Sequence, residues 1–131
     1  MLIALMFAAT LSADDPTPRD TALAVFDAFN RRDLAAMEAL YAQDAVLTSS
    51  DFCAPRGRAD IRRTFQVLFD AFPDVRDEIG KVVAEDGLVA VQFTAKASGL
   101  ELPIVTIFTI RDGLIVRDET VFDTGGAPCQ S

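Results

Sequence analysis

Two Asp-Gly pairs, each between runs of strand-forming residues, constrain the fold of this chain more than any other feature. Asp86-Gly87 joins residues 75–85 to residues 88–98, and Asp112-Gly113 joins residues 102–110 to residues 114–123. Asp-Gly between such runs is typical of tight β-hairpins, because both central residues of the favoured turn adopt positive φ. The sequence therefore predicts two consecutive hairpins, and so four antiparallel strands.

Helical patterns precede the hairpins. Thr17, Pro18 and Asp20 have the spacing of a capping box with a proline in the first helical position, and Asp33 can cap a second helix. The apolar stripes of three predicted helices are Ala22, Val25, Phe26 and Phe29; Leu34, Met37, Leu40 and Tyr41; and Ile61, Phe65, Leu68, Phe69 and Phe72. Residues 45–48 are predicted to form a short strand, and residues 49–57 a loop. Helices followed by an antiparallel sheet indicate an α+β domain, with the helices on one face of a curved sheet.

The first turn predicts which side chains of its hairpin share a face. If Glu85 is opposite Leu88, then Val82, Val91, Phe93 and Ala95 form the core face. On the same assumption Asp77 is opposite Lys96 on the solvated face, where a cross-strand ion pair contributes little to stability.

The second hairpin is predicted to be apolar on both faces. One face carries Val105, Ile107, Thr109, Val116, Asp118, Thr120 and Phe122; the other carries Ile104, Thr106, Phe108, Ile110, Ile115, Arg117, Glu119 and Val121. Two apolar faces both require a cover. The helices would cover one face, so a homodimer through the other, formed by Ile104, Thr106, Phe108, Ile115 and Val121, is expected.

Composition excludes several functional classes. The 131 residues suit one domain, and the net charge of −8 with scattered basic residues argues against nucleic-acid binding. The chain has no histidine, so Ser-His-Asp and Cys-His mechanisms and histidine metal sites are excluded. The two cysteines are poor zinc ligands on their own. We expect neither a metal nor a cofactor.

Residues 1–13 are mainly apolar and end just before Asp14-Asp15. Their length fits the apolar region of a secretory signal peptide and is too short for a membrane span; the alternative is a helix that docks on the domain. Cys53 and Cys129 bear on the same question, because they would form a disulfide in an exported protein and remain free thiols in a cytosolic one.

The element order is accompanied by short motifs that carry a family resemblance. They are Phe29-Asn30-Arg31-Arg32-Asp33, Tyr41-Ala42-Gln43-Asp44-Ala45-Val46, Gly57-Arg58, Asp112-Gly113-Leu114-Ile115-Val116 and Phe122-Asp123. Over residues 17–123 the chain resembles the nuclear transport factor 2-like superfamily, in its SnoaL-like polyketide cyclase branch. The resemblance implies a cone, in which a strongly bent sheet wraps around the helices and encloses an apolar pocket. The expected organisation is a signal peptide (1–13), a linker (14–18), the cone domain (19–124) and a C-terminal tail (125–131).

The resemblance also indicates which catalytic groups are missing. Ser49 stands where steroid-isomerase relatives place a general-base aspartate, and Val25 stands where they place an oxyanion-holding tyrosine. Thr120 stands where cyclase and epoxide-hydrolase relatives carry an acid. The expected pocket residues are Tyr41, Phe52, Phe93, Ile107, Thr120 and Phe122.

Two carboxyl groups remain as catalytic candidates. Asp118 is expected beside Thr120 among apolar residues, where burial would raise its pKa and suit it to act as acid or base; the alternative is a rim residue that reaches solvent. Asp51 lies in the loop after the first strand and is either a second candidate or a turn residue. In the family's cone the ends of the first and last strands approach each other, which implies a Cys53–Cys129 disulfide.

Three functional hypotheses follow from this. The first is an exported, periplasmic or secreted homodimer that binds a small apolar molecule, with no membrane span in the mature chain. The second is a lyase, isomerase or hydrolase that uses Asp118. The third is a structural dimerisation domain whose cavity is filled by its own phenylalanines, and a cytoplasmic location is the alternative to export.

Overall fold

The computed structural model describes residues 15–131, so the predicted signal peptide lies outside the described residues. The helices are α1 (Pro18–Asn30), α2 (Leu34–Ala39) and α3 (Ile61–Ala71), with a 3₁₀ turn at Arg58–Asp60 before α3. The strands are β1 (Tyr41–Ser49), β2 (Arg56–Gly57), β3 (Arg76–Glu85), β4 (Leu88–Ala97), β5 (Leu100–Arg111) and β6 (Leu114–Val121). No helix within residues 15–131 is long and apolar enough to cross a membrane.

The helix starts follow the predicted capping chemistry. The Thr17 hydroxyl accepts a hydrogen bond from the Asp20 amide at 3.2 Å, and the Asp20 carboxylate accepts one from the Thr17 amide at 3.0 Å. Asp33 caps α2 by accepting from the Ala36 amide at 3.0 Å. Helix α2 ends at Ala39, earlier than its apolar stripe predicts, because Tyr41 pairs with Ile115 and begins β1.

The six strands form one curved, open sheet in the order β2-β1-β6-β5-β4-β3. This confirms the α+β cone. The four hairpin strands are antiparallel as predicted, but β1 runs parallel to β6, so the sheet is mixed. Parallel pairing joins segments that are distant in the chain, and no turn motif signals it. The core lies between the helices and the inner face of the sheet, where α1 contacts β3 through β6.

A bulge in β3 corrects the predicted faces of the first hairpin. Glu85 pairs with Leu88 and Val82 with Val91, as expected, but the register then shifts and Ile79 pairs with Phe93. Asp77 is consequently opposite Ala95 on the inner face rather than opposite Lys96. The predicted solvated Asp77 is wrong, and Lys96 instead forms an ion pair with Glu78 at 2.8 Å.

A second bulge, in β6, corrects the faces of the last hairpin. Ile110 pairs with Ile115, but Thr109 pairs with Arg117, so Val116 has no partner of its own. The inner face therefore combines Thr106, Phe108, Ile110, Ile115, Asp118 and Thr120, and the outer face carries Val105, Ile107, Glu119 and Val121. The predicted dimer surface is wrong in its details, because Thr106, Phe108 and Ile115 are buried inside the domain.

The C-terminal tail is fastened to the loop between β1 and β2. Cys53 and Cys129 form the predicted disulfide, with their Cα atoms 5.0 Å apart. Phe52 and Gln130 form a parallel bridge, and the Cys53 amide donates to the Gln130 carbonyl at 2.9 Å. These contacts order a tail that contains Gly125 and Gly126.

Candidate functional site

A cavity of about 280 Å³ lies between the helices and the inner face of the sheet. Most of its wall is apolar, and several phenylalanines contribute to it. They are Phe26, Phe29, Phe52, Phe65, Phe72, Phe93, Phe108 and Phe122. Phe26 packs edge-on against Phe93 and Phe108, with ring centroids 4.7 and 6.1 Å apart, so these three rings hold one another in place.

Asp118 is the centre of a buried hydrogen-bond network at the β6 side of the cavity. The Tyr41 hydroxyl donates to Asp118 Oδ2 at 2.6 Å, and the Thr120 hydroxyl donates to Asp118 Oδ1 at 3.1 Å. The hydroxyls of Thr106 and Thr120 lie 2.7 Å apart. These hydrogen bonds hold the side chains of the network in fixed positions relative to one another. All four of them line the cavity: Tyr41, Thr106, Asp118 and Thr120.

The environment of Asp118 shifts its pKa. Burial raises the pKa from 3.8 to about 6, while the hydrogen bonds from Tyr41 and Thr120 act in the opposite direction. Burial and the Asp118 carboxyl together raise the pKa of Tyr41 well above its ordinary range. Tyr41 is therefore a neutral hydrogen-bond donor near pH 7, whereas Asp118 can change protonation state close to that pH.

Asp77 is a second buried carboxyl in the cavity wall, and the sequence interpretation missed it. It lies on β3, the strand at the opposite edge of the sheet from the short strand β2, and is 9% exposed. Burial raises its pKa to about 7, and the positive charge of Arg32 acts against this. Gly80 was the available signal, since a glycine within a strand pattern indicates a bulge, and a bulge there turns Asp77 inward.

The third polar group of the cavity wall is Asp51, in the loop that follows β1. Asp51 accepts a hydrogen bond from the Ser49 hydroxyl at 2.5 Å, and both residues line the cavity. The Arg56 guanidinium lies over the Phe52 ring, 3.8 Å from its centroid, and donates to the Thr64 hydroxyl at 2.9 Å. Gln130 of the disulfide-linked tail also lines the cavity.

The structure brings most of the predicted pocket residues together. Tyr41, Phe52, Phe93, Thr120 and Phe122 line the cavity, as do Asp118 and Asp51. Ile107 does not, and its assignment is corrected: the β6 bulge puts it on the outer face, opposite Glu119. Among residues 15–131 no group of three His, Cys, Asp or Glu side chains could hold a metal ion.

Comparison with known proteins agrees with this architecture. A family model described as a SnoaL-like domain matches residues 22–118. Wild-type IdmH from Streptomyces antibioticus, provisionally assigned as a polyketide cyclase, is 27% identical with a TM-score of 0.74. A loop-truncated variant of IdmH is 30% identical with a TM-score of 0.75, and each comparison covers 83% of this chain and 94% of IdmH.

A provisionally assigned polyketide cyclase from Sinorhizobium meliloti is 26% identical, with a TM-score of 0.69 over 77% of this chain and 93% of its own. No curated protein sequence matches the chain significantly.

Proposed function

Because the chain belongs to the SnoaL-like domain family, we propose that it binds a small, largely apolar molecule in the cavity between its helices and sheet. One observation carries this proposal: a cavity of about 280 Å³ remains open although eight phenylalanines contribute to its wall. An apolar cavity with a few convergent polar groups is typical of small-molecule sites. The cavity volume argues against the alternative of a purely structural domain filled by its own side chains.

The most direct test is native mass spectrometry of freshly purified protein. We expect a co-purifying molecule that leaves the protein on denaturation and is rich in ring carbons, in keeping with the provisional assignment of IdmH and its Sinorhizobium relative as polyketide cyclases. Protein that carries nothing, and that also fails to bind a panel of aromatic and alicyclic molecules, would contradict the proposal.

A second candidate function is acid–base catalysis on the bound molecule, as a lyase, isomerase or hydrolase. The Asp118 network favours it, because a buried carboxyl with a pKa of about 6 can exchange a proton with a ligand near neutral pH. Once a substrate is found, Asp118→Asn should lower kcat by at least about 100-fold, the scale of general acid–base catalysis.

Matched variants separate this role from general damage. Glu85→Gln changes an exposed acid at the end of β3 that does not line the cavity, and should leave turnover unchanged. Asp51→Asn tests the other carboxyl candidate and should have a smaller effect than Asp118→Asn. Full turnover in Asp118→Asn would exclude Asp118 as the acid or base.

We further propose that the protein is exported, with residues 1–13 as a signal peptide. The Cys53–Cys129 disulfide supports this, because disulfides persist in oxidising compartments. The N-terminal sequence and the intact mass of protein from the extracellular or periplasmic fraction test it. A retained leader with two alkylatable thiols would contradict it.

We also propose that the protein forms a homodimer, and that the two copies meet through the outer face of the sheet. That face carries a contiguous apolar set from neighbouring strands, formed by Val83, Ala90, Val105, Ile107 and Val121. Val83 and Val121 are 66% and 63% exposed in the single chain. A second copy is the simplest cover for such a surface.

A further inference from the structure

Asp77 is a cavity carboxyl that the acid–base hypothesis does not use. Its side chain is buried on the inner face of β3 and lines the cavity. Among residues 15–131 it accepts no side-chain hydrogen bond and forms no ion pair, whereas Asp118 accepts hydrogen bonds from Tyr41 and Thr120. The two carboxyls therefore differ in kind: Asp118 is satisfied within the protein, and Asp77 faces the cavity without a partner.

The backbone of Asp77 is nevertheless held firmly. The Asn30 side chain donates through Nδ2 to the Asp77 carbonyl and accepts from the Asp77 amide through Oδ1, both at 2.9 Å. This pair of hydrogen bonds fastens the start of β3 to the end of α1. A fixed polar group in an apolar cavity is suited to orient a ligand, since little conformational entropy is lost on binding.

The surroundings of Asp77 decide which ligand group it suits. The nearby cation is Arg32, but its guanidinium donates to the Pro73 and Val75 carbonyls and packs over the Phe69 ring, 4.5 Å from the centroid. Other cavity residues near this end are apolar, including Val75 and Phe93. In such surroundings the neutral carboxyl is favoured, and it offers one O–H donor that lacks an acceptor.

We propose that Asp77 donates a hydrogen bond to a carbonyl or ether oxygen of an elongated apolar ligand, whose other end lies near Asp118. Elongation follows from the topology, because β4 and β5 separate the two carboxyl-bearing strands. A neutral oxygen is the better partner than an ammonium group, since bringing a second ion into an apolar cavity costs desolvation. This inference rests on the proposed function, because it requires that the cavity accepts a ligand.

A matched pair of probes tests the inference. 4-Acetylbiphenyl carries a ketone at one end, and 4-isopropenylbiphenyl has nearly the same shape with a methylene group in place of the oxygen. Isothermal titration calorimetry measures the affinity of both probes in the same way, because it needs no fluorescent group. Wild-type protein should bind the ketone about 10-fold more tightly, the scale of one hydrogen bond.

Variants of the same strand assign the preference to Asp77. Asp77→Leu should abolish the preference for the ketone and leave hydrocarbon binding unchanged. Asp77→Asn keeps a donor and should retain most of the preference, which a merely structural role would not explain. Glu78→Leu changes the neighbouring acid, whose side chain pairs with Lys96 on the outer face, and should have no effect.

A spectroscopic readout tests the hydrogen bond itself, separately from the affinity of the probe. With a ¹³C-labelled ketone, the carbonyl stretch of the bound probe should lie at lower wavenumber in wild-type protein than in Asp77→Leu, as a hydrogen bond to the oxygen requires. Equal affinity for both probes, an unshifted carbonyl band, or tighter binding of 1-(biphenyl-4-yl)ethanamine than of the ketone would overturn the role of Asp77 alone. Failure of both neutral probes to bind would also overturn this inference, and failure of the wider panel in protein without a co-purifying molecule would overturn the proposed function as well.

Discussion

Asp77 and Asp118 show how burial, rather than residue type, sets the pKa of a carboxyl group in this cavity. The chain has twenty acidic residues, and these two carry pKa values raised to about 7 and about 6. In both cases burial is the main cause, because a charged carboxylate loses its hydration in an apolar cavity. A buried carboxyl with a raised pKa lowers the stability of the folded protein when it ionises. Each of these two groups therefore has an effect that can be measured.

Asp77 should make the protein less stable as pH rises. Its folded pKa is raised to about 7 from 3.8, so the folded state binds more protons than the unfolded chain between these values, and stability falls through that window. Asp77→Asn should therefore be close to wild type near pH 4 and more stable near pH 8, by up to about 4 kcal/mol.

Urea unfolding across this range measures the difference in unfolding free energy, with Glu85→Gln as a control on the same strand. A difference in unfolding free energy between wild type and Asp77→Asn that is the same at every pH would contradict the raised pKa of Asp77.

Tyr41 should hold down the pKa of Asp118. Its hydroxyl donates to the carboxylate at 2.6 Å, and a hydrogen bond to the charged form favours that form. In Tyr41→Phe the pKa of Asp118 should rise above about 6, and stability should fall by about 1–2 kcal/mol. A pH titration of the ¹³C-labelled Asp118 carboxyl observes this directly, and an unchanged or lower value would show that the hydrogen bond has no influence.

At the level of the elements, the turns were predictable and the bulges were not. Asp86-Gly87 and Asp112-Gly113 form the expected turns, with positive φ at all four residues. The register counted from each turn fails beyond an inserted residue, because a shift of one position moves every later side chain to the other face. This is why Asp77 and Ile107 were assigned to the wrong faces.

The β3 bulge had a sequence signal in Gly80, whereas the β6 bulge at Val116 lies in an apolar run that offers none. Asp118 was nevertheless expected beside Thr120, because both follow Val116 in the same strand.

The two hairpin glycines should respond differently to substitution. Both adopt positive φ, but a Cβ at Gly87 would lie 2.9 Å from the Ile110 carbonyl oxygen, while a Cβ at Gly113 meets nothing within 4 Å. Gly113→Ala should cost about 1 kcal/mol from backbone strain alone, and Gly87→Ala should cost clearly more. Denaturant midpoints of the two variants give the comparison, and equal losses would show that the Ile110 contact relaxes freely.

The disulfide should stabilise both the domain and the part of the cavity wall formed by Phe52 and Gln130. It closes a loop with a sequence separation of 76 residues, for which the chain-entropy model gives a stabilisation of about 4 kcal/mol. Cys53→Ser/Cys129→Ser should therefore unfold at lower urea concentration than the oxidised wild type and resemble the reduced wild type. Hydrogen exchange should increase first at the amides of Cys53 and Gln130, and unchanged exchange there would mean that the remaining contacts hold the tail alone.

At the scale of the whole molecule, the sheet of the cone has two apolar faces, of which one is covered within the chain and the other is exposed. The inner face of the sheet packs on the helices and encloses the cavity, and the outer face exposes Val83, Val105, Ile107 and Val121 in the single chain. If a second copy covers the outer face, sedimentation equilibrium at micromolar concentration should give twice the chain mass. Val121→Asp should shift the protein to monomer, because a charge would be buried without a partner.

Leu100→Asp is the matched control, since Leu100 is 62% exposed but lies at the β4–β5 turn, away from the apolar set. Phe108→Asp is not a test of association, because Phe108 is 1% exposed and its replacement would disrupt the core instead. Val121→Asp and Leu100→Asp should both keep the cavity intact and bind the same apolar probe, since neither Val121 nor Leu100 lines it. A wild-type protein that sediments as a monomer would leave the outer face uncovered and contradict the dimer.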